Sequence, residues 1–74
     1  MDKSKRLFLK HLGERIASLR EAKGLTQTEL ASRCEKDRQS INRLEKGGIN
    51  PSVYYIIEIS RALETSVSEI LKPF

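Results

Sequence analysis

Arg38, Gln39, Asn42, Arg43 and Lys46 recur at alternating steps of one and three residues, the spacing of a single helix face. Arginine offers a rigid fork of donors that matches guanine. Glutamine and asparagine pair a donor with an acceptor, as adenine does, and lysine meets phosphates as a point charge. A row of this kind can read base edges in a major groove, and it predicts a half-site containing both guanine and adenine. No serine, histidine and aspartate set, phosphate loop or carboxylate pair stands beside it. His11 is the single histidine and has no second ligand at metal spacing, so it is a surface helix residue and no metal or other cofactor is expected. Cys34 is most simply a small core residue. The chain is not expected to be an enzyme.

Two short helices must hold that row. Asp37 can cap the one that carries it, Ile41 and Leu44 point inward, and Gly47 supplies the stop. Just upstream, Thr26 and Glu29 have the spacing of a capping box, and Leu30, Ala31 and Cys34 give the helix after them an apolar face. The few residues between the two allow only a tight turn. This spacing predicts a helix-turn-helix over about 26–47.

The flanking segments supply a scaffold. Leu7 or Phe8, then Leu12, Ile16 and Leu19, predict a first amphipathic helix from about Ser4 to Lys23, ended by Gly24. Residues 1–5 read as a flexible basic arm, with Lys3, Lys5 and Arg6 available to DNA. Leu25 is an apolar plug. After Gly47-Gly48, Pro51 or Ser52 opens a fourth helix with Val53, Ile56, Ile59, Ala62 and Leu63 inward. Ser66 and Glu69 form a second capping box, and Val67, Ile70 and Leu71 face the core before Pro73. The expected fold is all-α, five helices in one domain over residues 1–74.

Composition agrees with this architecture. One cysteine excludes an internal disulfide and suits a reducing cytoplasm, close to the nucleoid. No apolar run reaches membrane-spanning length, and Met1–Arg6 lacks the hydrophobic segment of a secretory signal. Four aromatics without tryptophan argue against a single-strand stacking platform. The net charge of +4 is uneven: residues 1–24 hold seven basic and three acidic side chains, residues 51–74 two and three. That asymmetry suits a protein turning one end to a polyanion, although a solvated lysine-rich face would look the same.

With this layout, Gly24-Leu25-Thr26-Gln27, Glu29-Leu30-Ala31, Ser40-Ile41, Arg43-Leu44-Glu45-Lys46-Gly47 and Asn50-Pro51-Ser52 resemble the phage repressor/Cro family of helix-turn-helix regulators, also called Xre-like, from about Ile16 to Leu71. The resemblance implies a five-helix fold whose third helix enters the major groove, with two subunits on a palindromic operator. It places Arg38, Gln39, Asn42 and Arg43 at base edges. It implies a phosphate contact from Gln27 at the start of the second helix; Lys46, Asn50 and Ser52, which flank the loop after the third, are further candidate phosphate contacts, as is Thr26, for which capping alone is the simpler role. Arg20 and Glu45 would form a partly buried ion pair that fixes the third helix. Where the family has glycine at the turn this chain has Glu35, followed by Lys36 where an apolar residue is common, so strain or an altered turn is expected there.

Family members dimerise near helices four and five. Tyr54, Tyr55, Ile57 and Phe74 exceed what an inward-facing core needs, so they can form a dimer surface or finish the core. The function expected is a sequence-specific double-stranded DNA-binding regulator, acting as a homodimeric repressor whose occupancy follows its concentration or a partner. Two alternatives stay open: an antitoxin that binds a toxin and its own promoter, and an interaction module that keeps the fold without reading DNA.

Overall fold

Each helix begins on a side-chain oxygen that takes the amide three residues ahead. In the computed structural model, which describes residues 2–74, these caps are Asp2, Thr26, Asp37, Ser52 and Ser66. They open α1 (Lys3–Ala22), α2 (Gln27–Cys34), α3 (Arg38–Glu45), α4 (Val53–Ala62) and α5 (Val67–Leu71). A cap of this type is worth about 1 kcal/mol, a large share of what so short a helix needs. The described residues are all helix and connection, without strands. The fold is the expected all-α one.

The core is one cluster fed by every helix: Leu12 and Ile16 from α1, Leu30, Ala31 and Cys34 from α2, Ile41 and Leu44 from α3, Ile56, Ile59 and Ala62 from α4, and Ile70 from α5. α3 packs on α1 and α2, α4 on α2 and α5, and α5 returns to α1. Arg15 of α1 ties the last contact by donating to the Glu69 carbonyl at 2.8 Å and to its carboxylate at 3.1 Å.

Several expectations give way. The basic arm at residues 2–5 is instead the cap and first turn of α1, because Asp2 accepts the Lys5 amide at 2.9 Å; Met1, the rest of that arm, lies outside the described residues. Leu9, not Leu7 or Phe8, begins the inward stripe of α1, since it lies three and seven residues before Leu12 and Ile16. Phe8 packs on Phe74 with ring centroids 4.9 Å apart. Val53 is 77% exposed because it is the first residue of α4, one turn before Ile56. Leu71 is also exposed, at the last turn of α5. The second capping box is half formed: Ser66 takes the Glu69 amide at 2.9 Å, while the Glu69 carboxylate turns to Arg15. Tyr55 and Ile57 are partly buried, so of the surplus apolar set Tyr54 and Phe74 are the exposed members, Phe74 with one side against Phe8.

The turn between α2 and α3 carries its departure openly. Glu35 caps α2 with φ 57° and ψ 37°, the left-handed conformation that glycine would adopt without cost. Lys36 then pairs with Glu58 at 3.3 Å and lies 5.1 Å from the centre of the Tyr55 ring. A cation over an aromatic face substitutes here for an apolar side chain.

Candidate nucleic-acid interface

α3 is short and strongly two-sided. Ile41, Leu44 and Glu45 are buried, whereas Arg38, Gln39, Arg43 and Lys46 are exposed and Asn42 is half-buried. At about 100° per residue the outward set sweeps roughly 140° of the helix circumference, enough to face a groove wall. Asp37 holds the start of the helix by accepting the Ser40 amide at 2.7 Å. The Ser40 hydroxyl in turn meets the Tyr55 hydroxyl at 2.7 Å, tying that end to α4.

The other end is fixed by charge. Arg20 Nε lies 2.7 Å from Glu45 Oε2 and its Nη2 3.1 Å from Oε1, a two-point pair. Its Nη1 also donates to the Leu25 carbonyl at 2.7 Å. The Glu45 carboxylate holds the guanidinium even more firmly charged than usual. Gln27 extends the network, its Nε2 donating to Glu45 Oε1 at 3.0 Å and to Asn42 Oδ1 at 3.4 Å. The structure thus brings together Arg20, Glu45, Gln27 and Asn42, residues that the sequence placed in three separate roles.

The remaining expected contacts surround this face. Thr26 is exposed; its hydroxyl accepts the Glu29 amide at 3.1 Å while Glu29 accepts the Thr26 amide at 2.8 Å. The Thr26 amide, which donates to it, and next the Thr26 hydroxyl beside it hold the Glu29 carboxyl below the usual carboxylate range. The amides of Gln27 and Thr28 sit in the first turn of α2, where a helix has no acceptor of its own and an anion is welcome. Asn50 and Ser52 are exposed in the connection after α3, and the Ser52 oxygen already accepts the Tyr55 amide at 3.0 Å. That hydroxyl keeps its proton to donate. Arg33 and Lys36, by contrast, are directed to the Ala62 carbonyl and Glu58, away from this row.

Sequence reasoning passed over Gly13. It is buried in the middle of α1, and a side chain there would strike the backbone carbonyls of Leu44 and Glu45. The signal was a glycine between Leu12 and Glu14, inside an amphipathic helix where alanine costs less. Among the described residues no cluster of side chains suited to a metal occurs, and no helix is long and apolar enough to cross a membrane.

The comparisons agree with this geometry. Residues 16–70 match the helix-turn-helix family profile. The chain belongs to the helix-turn-helix family of transcriptional regulators. A regulator of this type from Sinorhizobium fredii (strain NBRC 101917 / NGR234) is 39% identical over 64 residues, covering 86% of this chain and 83% of that one. The structure also superimposes on the restriction-modification controller protein of Aeromonas hydrophila with a TM-score of 0.83 and 35% identity, covering 85% of this chain and 91% of the other. The clp gene regulator of C. glutamicum gives 0.82 and 30%, covering 85% and 82%. These relatives are regulators, not enzymes, and so is this DNA-binding helix-turn-helix protein.

Proposed function

We propose that the regulator is a homodimeric repressor that reads a palindromic operator by inserting α3 into the major groove. The outward row of α3 is the observation that supports this reading: three donor-rich or amide side chains at Arg38, Gln39 and Arg43 are exposed on a helix braced at both ends. With Asn42 they are the base-reading set. Gln27 with the first turn of α2, Lys46, Asn50 and the Thr26 and Ser52 hydroxyls hold phosphates on either side. The domain measures 32 × 24 × 21 Å, so two copies related by a two-fold axis can set their α3 helices about 34 Å, one DNA turn, apart. Exposed Tyr54 and Phe74 offer apolar area for the contact between copies.

Selection from a randomised duplex library at near-physiological salt tests the reading, with an Arg38→Ala, Gln39→Ala double mutant alongside. An enriched inverted repeat that the mutant fails to recover is expected. Binding should also weaken steeply with salt, in proportion to the phosphates neutralised. Recovery of unenriched DNA by both proteins would remove specific readout, and a sedimentation mass of one chain on DNA would remove the dimer.

A further inference from the structure

The chain of hydrogen bonds that starts at Arg20 has a direction, because each member can only donate or only accept at the point of contact. Arg20 has donors alone, and the Glu45 carboxylate has acceptors alone. Gln27 approaches Glu45 Oε1 at 3.0 Å, so the atom it presents must be its NH2 nitrogen, Nε2, and not its oxygen. The same nitrogen lies 3.4 Å from the Asn42 amide, and a donor there requires an oxygen opposite. The Asn42 oxygen is therefore turned toward α2 and its NH2 group away from it. Of the four side chains in the base-reading row, Asn42 is the one held by a neighbour, and it is half-buried where the others are exposed.

We infer that Asn42 acts in the groove as a hydrogen-bond donor, its amide oriented by the Arg20–Glu45–Gln27 chain, and so selects a base edge made of acceptors. This rests on the proposed major-groove reading. Guanine, with N7 and O6, and thymine, with O4, present such edges; adenine adds an N6 donor that needs the Asn42 oxygen in return. Turning the amide over to supply that oxygen would set its NH2 against the NH2 of Gln27, two donors face to face. The asparagine-to-adenine pairing expected from side-chain type alone is thereby disfavoured, and Gln27 is a positioning residue for specificity besides any hold on phosphate.

The experiment compares duplexes selected by the wild type, Asn42→Ala and Gln27→Met, the last close in shape but without hydrogen bonds. The position whose preference vanishes in Asn42→Ala is expected to carry guanine or thymine on the contacted strand, favoured over adenine by about tenfold. In Gln27→Met the same position should relax to within about threefold, with adenine gaining, while positions read by Arg38 and Gln39 keep their preference. An adenine preference at the Asn42 position overturns the inference even if every other position reads as proposed. So does an unchanged guanine or thymine preference in Gln27→Met, or no position that responds to Asn42→Ala. The wild type against Asn42→Ala alone fixes the base identity, so the inference stays open to refutation even if Gln27→Met folds poorly. Loss of all enrichment in the wild type instead removes the major-groove reading itself.

Discussion

A Cβ placed on Gly13 would collide with the carbonyl oxygen of Glu45 and stand 2.5 Å from that of Leu44. These two residues, Gly13 on α1 and Glu45 at the end of α3, set how closely α3 lies on its scaffold. Gly13→Ala should therefore destabilise the fold despite the roughly 1 kcal/mol that alanine gains within a helix. Forcing backbones apart commonly costs about 1–3 kcal/mol and overlap with two carbonyls calls for the upper part of that range, so a net loss of about 1–2 kcal/mol is expected in urea unfolding. Ser18→Ala, exposed on the same helix, is the control and should be neutral or slightly stabilising. A Gly13→Ala protein about 1 kcal/mol more stable than wild type would show that α1 and α3 can slide without cost.

The Arg20–Glu45 pair should behave as a buried one. The two side chains keep 12% and 5% of their surface, and Gln27 donates to the same carboxylate. Glu45→Leu strands the guanidinium, and Arg20→Met strands the carboxylate; each should cost about 3 kcal/mol or more. The double replacement should cost clearly less than the two single ones added together, since no unpaired charge remains. Arg15–Glu69, with Glu69 about half exposed, is the comparison: Glu69→Gln should cost below about 1 kcal/mol. Additive effects at Arg20 and Glu45 in chemical denaturation would count against a coupled pair.

Helix order was legible in the sequence because caps and apolar spacing are local. Thr26 with Glu29, Asp37 and Ser66 each announced a helix start that the structure has. What local pattern could not decide was which of several adjacent apolar residues would turn inward. Leu7, Phe8 and Leu9 are consecutive, and the packing of α1 on its neighbours selects Leu9. Val53 belongs to the right stripe but lies past the end of the packed layer. The outward row of α3 followed from residue type and spacing, whereas the link from Arg20 through Gln27 to Asn42 joins residues up to 25 positions apart, as Arg20 to Glu45 is. Only tertiary structure reveals such a link.

Glu35 offers a way to gain stability. Its φ of 57° is a left-handed conformation that costs a side-chain-bearing residue about 1 kcal/mol. Glu35→Gly should raise the unfolding free energy by up to about 1 kcal/mol, less what glycine adds to the freedom of the unfolded chain. Glu64, with φ 54° after α4, should respond in the same sense. Thermal unfolding of both variants checks this, and a lowered melting temperature for both would mean that the carboxylates supply more than the strain removes.

Alkaline pH should weaken the fold through Cys34 and Tyr55. Burial pushes the Cys34 thiol above its ordinary value, with the Glu58 charge adding to it. Burial likewise pushes the Tyr55 phenol up, partly countered by the hydrogen bond with Ser40. Unfolded, these groups lose their protons near about 8.5 and 10. Above those values the unfolded chain binds fewer protons than the folded one, so the unfolding free energy falls as pH rises. The contribution is complete below about pH 8 and fades through the folded values. Urea unfolding across the alkaline range, from roughly pH 7.5 to 10.5, should show this decline, with Cys34→Ala flattening its first part and Tyr55→Phe its later part. Tyr55→Phe should also lose about 1 kcal/mol near neutral pH, where the Ser40 hydroxyl is left without its 2.7 Å partner, and this deficit should shrink toward the alkaline end. Profiles for wild type and both variants that run parallel would assign the alkaline loss to other groups, since a residue that does not titrate differently in the two states cannot tilt the curve.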